Sequence, residues 1–464
     1  MDPGVTPSSP APARTFALDR ARRALEAVAG RDELVVLHLD APAIDPASWL
    51  RCEPDEAAVL WEPPGGPALA GRGAACTVQG RGELRFAEVA SKAGRLWPRV
   101  REHGIGDAAP PRSVLIGGFS FAPGSGPSAL GDAWFVLPEW RYARAERRGW
   151  LSLAVRGEAC ATSRGREAWL AALERELERI GTLAGAGRSE PPRPVSSDPA
   201  TGAPTDAWLR GVGAALSAIE RGEASKVVLA RTLEVPGPVA PPGVVCARLA
   251  RLAPESARFA LHAGRATFLG ATPERLVARR GRQVRTEALA GTARAAASDA
   301  GERLLASEKD LREHAVVVQA IRAALQPVCT ELEVSQTPAL RTLRDVQHLA
   351  TPIRGTLASP MHLLELAERL HPTPAVCGEP REVAARLLAA HEEVPRGWYA
   401  GVVGAFDAAG DGELWVALRS ALVGAEGARL HAGAGLVAGS DARAEWEETN
   451  LKLRRMREAL GAPP

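Results

Sequence analysis

Two periods of apolar and polar positions run along this chain, and the period switches at turn residues. The stretch FALDRARRALEAVA (16–29) repeats apolar side chains at helical spacing and predicts a helix, while ELVVLHL (33–39) predicts a buried strand. After Pro- and Gly-rich loops, the pattern predicts short strands and a helix near 90–100. Strands then follow over 114–121, 133–137 and 149–155, and a helix over 166–180. The pair Gly117-Gly118 marks a bulge or a close packing contact. Residues 185–204, GAGRSEPPRPVSSDPATGAP, have no apolar period and read as a linker or long surface loop.

Beyond it, Thr205-Asp206 caps a helix lined by Trp208, Val212, Ala215 and Ile219. ASKVVLARTLEV (224–235) is a buried strand, and residues 259–262 and 266–269 form a hairpin around Gly264. One long helix is expected over 302–324, strands over 402–406, 414–418 and 428–433, and a last helix over 442–460. Strands and helices mix without strict βαβ alternation, which predicts an α+β fold of sheets layered with helices. The expected division is a disordered Pro- and Ser-rich start (1–13), an N-terminal subdomain (14–184), the 185–204 linker, and a catalytic region (205–464).

With 464 residues and 46% apolar content, the chain buries a core without disulfide or metal staples. A net charge of +2 gives no electrostatic case for nucleic acid or a membrane surface. The six cysteines form no CxxC pair and no zinc spacing, so they read as buried thiols in a reducing compartment. The N-terminus lacks a secretory h-region and no stretch is long enough to span a bilayer. The expected address is cytoplasmic.

Candidate chemistry begins with Lys226. Of 57 lysines and arginines only four are lysine: Lys92, Lys226, Lys309 and Lys452. Arginine stays protonated, whereas a desolvated lysine can act as a base; the plain alternative is a strand-edge lysine reaching water. Asp310 and Glu313 share a helix face, as do Glu445 and Glu448. Two such faces suit a hard divalent cation. On spacing alone, solvated faces balanced by Arg312 and Arg443 are the simpler reading. Gly291, Gly397, Gly401, Gly433 and Gly435 stand in what read as Gly-rich turns, none matching a nucleotide fingerprint. Arg419 is a charge inside an apolar strand, either paired internally or awaiting a carboxylate. Glu274 follows a Pro turn and is either a general acid or a turn carboxylate paired with Arg275.

These segments, in order, are KVVLAR, ATPERL, TEALAGTAR, SEKDLREH, HLATPIRG, LHPTPAVCGEP, RGWYAGVVG, VALRSA, AGAGLV and EWEETNLK. The set resembles the chorismate-utilising enzymes: isochorismate synthases, salicylate synthases, and the large subunits of anthranilate and aminodeoxychorismate synthases. The likeness is dense from Lys226 to Lys452. Before residue 206 it is looser, through GGFSF and AWFVLPEW, which look like the isochorismate synthase branch. Members that add water carry Lys at the Lys226 position; members that add ammonia usually carry Gln. Ala290 stands where aminodeoxychorismate synthases commonly place a nucleophilic Lys. Cys377 departs from the usual Gly, which implies a local packing difference.

The resemblance implies Mg²⁺-dependent conversion of chorismate to isochorismate, with Lys226 activating water at C2 and Glu274 protonating the C4 hydroxyl. Glu313, Glu445 and Glu448, with Asp310 acting through water, would hold Mg²⁺. Arg419 and Tyr399, with backbone at Gly433 and Gly435, would take the enolpyruvyl carboxylate. Lys452 would face the substrate, Gly291 and Thr292 would pack near the ring, and His348 would sit near the ring carboxylate or serve as a buried structural histidine. A salicylate synthase, which also eliminates pyruvate, is the alternative, and a silent chorismate-binding paralogue a more distant one. The resemblance further implies no glutaminase subunit, a monomer or homodimer, and a product destined for menaquinone or a siderophore.

Overall fold

Strand alternation sorts the apolar side chains of this protein onto two faces. In the strand Ala58–Glu62, Ala58 and Leu60 pack toward helices, whereas Val59 and Trp61 join a cluster with Ile116, Trp134, Val403 and Trp415 of a second sheet. That cluster fills the space between two large sheets; two further clusters bury their outer faces under helices. The structure, a computed structural model, describes residues 11–106, 109–127, 129–186, 202–294, 299–342 and 346–461.

Among the described residues one sheet has twelve strands. It runs from Gly378–Glu379 through Lys226–Pro236, Gly427–Leu436, Ser420–Gly424, Ala266–Thr272 and Ala257–Ala263 to Ala58–Glu62, ending at Val100–Gly104. The second has ten. It runs from Cys329–Val334 through Val346–Leu357, Gln283–Arg294, Arg275–Arg280, Gly412–Val416 and Val402–Asp407 to Val114–Phe119, Ala133–Leu137 and Cys76–Gly80. Chain segments before 185 and after 205 pair directly in both sheets: Phe259 opposite Trp61 in one, Val402 opposite Phe119 in the other. The two segments therefore share both sheets. The α+β layering expected from the pattern is what the chain forms.

Several expectations are corrected. The long helix over 302–324 is two helices, Ala300–Ala306 and Glu308–Leu325, because Ser307 turns extended and its side chain caps the second by accepting from Asp310 N. The helix near 90–100 is Arg85–Leu96, and Val100 already starts a strand. Residues 11–13 belong to the helix Ala11–Ala27, not to a disordered start. Residues 1–10 and most of the 185–204 stretch lie outside the described residues, and 185 ends the helix Ser163–Gly185. The strand expected over 414–418 is Gly412–Val416. Gly117 and Gly118 mark close packing: a Cβ would stand 2.0 Å from Trp134 O and 2.1 Å from Val402 O, respectively. Among the described residues no helix is long and apolar enough to cross a membrane.

Candidate active site

Two of the places where the chain crosses from one sheet to the other are neighbours, and each of these two carries a charged residue. Pro273-Glu274 joins Ala266–Thr272 of the first sheet to Arg275–Arg280 of the second. Residues 417–419 join Gly412–Val416 of the second to Ser420–Gly424 of the first. The crossings are tied together, since Thr272 Oγ1 donates to Val416 O at 2.5 Å and Val416 N donates to Glu274 O at 3.0 Å. A crossing residue belongs to neither ladder, so its side chain is free to enter the space the sheets leave between them. Arg419 is thus not inside a strand; it sits at φ 49°, a conformation costly for a non-glycine residue.

Both side chains line one open-mouthed cavity whose wall is rich in polar groups. Of the residues singled out from the sequence, Glu274, Gly291, Thr292, Glu313, His348, Tyr399, Arg419, Gly433, Gly435, Glu448 and Lys452 line it. Lys226 stands just behind the wall, 1% exposed, with Nζ 2.9 Å from Glu313 Oε1. It is the first residue of its strand, and Val228, two residues on along the strand, lines the cavity. Lys226 is therefore a buried, paired lysine and not one reaching water. Asp310 and Glu445 are not cavity-lining residues. Asp310 packs against Gly291, whose Cβ would meet it at 3.2 Å, and Glu445 is 4% exposed against Lys309.

Glycines shape this wall from within strands, not turns. Gly291 is a bulge in Gln283–Arg294 at φ 74°, between residues that pair regularly with Val346–Leu357. Gly433 and Gly435 lie in Gly427–Leu436 opposite Ala230 and Val228. A Cβ at Gly435 would stand 2.4 Å from Glu313 Oε1 and 3.1 Å from Lys226 Cε, so the absent side chain makes room for that ion pair. Only the stretch around Gly397 is a turn, with positive φ at Gly397 and Ala400. It presents Tyr399, which stacks on His431 with ring centroids 5.0 Å apart. The buried Arg396, paired with Glu392 at 2.6 Å, supports that turn by donating to Val228 O and Val376 O.

The electrostatics separate these groups. Burial, reinforced by the charge of Glu287, pushes the Glu274 carboxyl up to about 7 against the pull of Lys226, Lys452 and Arg419. It does not pair with Arg275, which takes Glu413 at 3.2 Å. Burial, with Arg419 and Lys452 nearby, pushes His348 down to about 3, so the ring is neutral. Its Nδ1 lies 3.1 Å from both Gly291 O and Thr292 Oγ1. Nε2 is buried with no partner among the described residues. Burial pushes Tyr399 up to about 12 and lowers Arg419. Among the described residues no hydrogen bond or ion pair engages the Arg419 guanidinium.

The acidic set stands at the N-terminal turns of two helices, Glu308–Leu325 and Ala442–Leu460, whose dipoles favour negative charge there. Arg312 and Arg443, expected to balance these faces, take Glu308 and Glu447 instead. The remaining carboxylates turn to lysines: Glu313 to Lys226 at 2.9 Å, Glu445 to Lys309 at 2.9 Å, Glu448 to Lys452 at 2.5 Å. Among the described residues no three of them converge as they stand. Their chemistry nevertheless fits a hard divalent cation: all donors are carboxylate oxygens, and three already hold a cationic group. Burial raises Glu445 and Asp310, as crowded carboxylates require; for Glu448 the charge and hydrogen bond of Lys452 outweigh burial and lower it. Lys309 is the residue the sequence reading passed over. Its signal was there, as one of only four lysines.

A two-sheet α+β protein whose inter-sheet crossings bring a buried carboxyl acid and an unpartnered arginine to one polar cavity is built to bind and transform a small anionic molecule. The chain belongs to the chorismate binding enzyme family, whose model matches residues 19–461. It is 39% identical over 426 residues, 87% of this chain and 85% of the relative, to the salicylate biosynthesis isochorismate synthase of Pseudomonas aeruginosa. It is 42% identical over 271 residues, 55% of this chain and 67% of the relative, to the isochorismate synthase DhbC of Bacillus subtilis. Among solved structures it resembles MenF, the menaquinone-specific isochorismate synthase from Escherichia coli. There the TM-score is 0.76 at 28% identity, over 97% of this chain and 100% of that one.

Proposed function

We propose that this protein is an isochorismate synthase. The observation that carries the reading is the shared cavity: Glu274, with its carboxyl ionising near 7, faces the same space as Arg419 and as Glu313, which holds Lys226 behind the wall. Arg419 grips a substrate carboxylate with its planar fork, and Tyr399 donates its hydroxyl beside it. Lys226 takes a proton from the water that adds at C2. Glu274 gives its proton to the C4 hydroxyl, which leaves as water while the C1=C2 double bond moves to C1=C6 and the C5=C6 double bond to C4=C5. Acid and base acting together avoid both free hydroxide as nucleophile and hydroxide as leaving group. An amine held by Glu313 is not available for this, so the base role requires Glu313 to take another partner.

Glu313, Glu445 and Glu448, with Asp310, are the residues that would hold Mg²⁺, which when bound supplies positive charge for the ring carboxylate. Gly291, Thr292, Gly433, Gly435 and Lys452 form the walls around the ring. His348, with a neutral ring and a buried Nε2 that has no partner among the described residues, would offer that nitrogen to a polar group of the substrate. The relatives' names place their products in menaquinone and salicylate synthesis. The same cavity would serve here, in a cytoplasmic protein acting without a glutaminase subunit. Pyruvate elimination to salicylate is a second reading, favoured by the name of the Pseudomonas relative.

Incubation with chorismate and Mg²⁺, followed by chromatographic identification of the products, tests the proposal. Isochorismate alone is expected, with no turnover in excess chelator. Salicylate and pyruvate would establish the second reading, and an unchanged substrate would end both. Lys226→Ala is expected to abolish turnover with its circular dichroism intact; isochorismate made at the parent rate removes Lys226 from the chemistry.

A further inference from the structure

We propose that Lys309 is a resident counter-ion for Glu445, and that a divalent cation enters the substrate-free protein only by displacing it. The inference rests on reading the acidic set as a divalent-cation site. Lys309 and Glu445 come from the first turns of two different helices, and their 2.9 Å contact ties those helix ends together, with the charges of Glu313 and Asp310 acting on Lys309 and that of Glu448 on Glu445. The lysine side chain is 38% exposed while the carboxylate side chain is 5% exposed, so the amine has somewhere to go and the carboxylate does not.

The choice of residue points the same way. This chain uses arginine almost everywhere, and fixed structural pairs such as Arg396–Glu392 and Arg258–Glu62 are arginine pairs. Three of its four lysines stand on the three glutamates of the acidic set. Guanidinium grips a carboxylate with two parallel bonds; an ammonium is a single point charge on a flexible stem and exchanges readily for another cation. Lys226 and Lys452 are held in the cavity wall, 1% and 16% exposed in their side chains, and Lys452 also donates to Gly433 O. Lys309 alone among the three has an open path to solvent. Without it, Glu445, whose charge is already opposed by burial and by neighbouring Glu448, would have no cationic partner among the described residues.

Cation binding to the full-length, chorismate-free protein tests this directly. Free Mn²⁺ is followed by electron paramagnetic resonance, and Mg²⁺ by calorimetry. Removing the competing charge in Lys309→Met is expected to lower the dissociation constant about tenfold, and Lys309→Arg, with its firmer grip, to raise it. If the parent shows no binding, Lys309→Met should gain it. Unchanged or weaker binding in Lys309→Met, while Glu445→Gln weakens binding, overturns the role of Lys309 and leaves the cation site standing. Binding indifferent to Glu445→Gln as well, or absent from both the parent and Lys309→Met, overturns the site itself.

A second measurement needs no variant. Acetylation of the native protein, read by mass spectrometry, should label Lys309 faster as Mg²⁺ is added. Lys92, paired on the surface with Glu88, serves as the internal reference. Lys309 labelling that does not rise relative to Lys92 over saturating Mg²⁺ refutes the displacement.

Discussion

Replacing Glu274 by Gln keeps the shape of the side chain and removes its proton. In the folded protein this carboxyl ionises near 7, against an ordinary value of 4.5, because burial at the sheet crossing penalises its charged form more than Lys226, Lys452 and Arg419 favour it. A carboxyl raised in this way leaves stability intact below about pH 4.5 and drains it as pH rises toward 7, since the unfolded chain ionises first. At 1.36 kcal/mol per pH decade, the loss reaches roughly 3 kcal/mol above pH 7.5 and falls below about 1 kcal/mol at pH 5. Glu274→Gln is never ionised and escapes that loss. The variant should melt at a higher temperature than the parent at pH 8.5 and at nearly the same temperature at pH 5. Its isochorismate synthase activity should fall by about 10²–10⁴, the usual cost of a lost general acid. Thermal melts at the two pH values, paired with product assays, read both effects. Equal melting gaps at pH 5 and pH 8.5 would show that the carboxyl is not raised by its site, and the argument for Glu274 as the acid would fall with it.

Two further outcomes follow from the same geometry. Gly435→Ala places a Cβ 2.4 Å from Glu313 Oε1, the movable end of a side chain, so the fold should lose about 1–3 kcal/mol while activity drops sharply. Parent-level activity would show that the Lys226–Glu313 spacing does not matter. Arg419→Lys keeps the charge but loses the planar fork, and should raise KM for chorismate at least about tenfold with little loss of stability. An unchanged KM would take Arg419 out of substrate binding.

The single sequence was enough to announce strands such as Lys226–Pro236 and Val402–Asp407 and most helices, because apolar period and turn residues are local properties, but it passed over Gln283–Arg294 and Val346–Leu357. It also named the polar residues that line the cavity, since ordered motifs such as ATPERL and EWEETNLK are read without knowing how they meet. It could not show that Glu274 and Arg419 sit on crossings between sheets, nor that Gly291 and Gly435 belong to strands, because pairing is a long-range property of the ladders. The break at Ser307 was hidden because apolar spacing continues across it, while only the cap reveals the turn. Spacing placed Asp310 with Glu313 and Glu445 with Glu448, but the choice of partner for each was decided in three dimensions. Arg312 and Arg443 lie on the outward faces and take Glu308 and Glu447; the lysines, distant in sequence from their glutamates in two cases of three, close the acidic set from within. Residue types fix what chemistry is available, and the enclosure of those residues between two sheets fixes which charges must answer one another, because only there is water too scarce to do it for them.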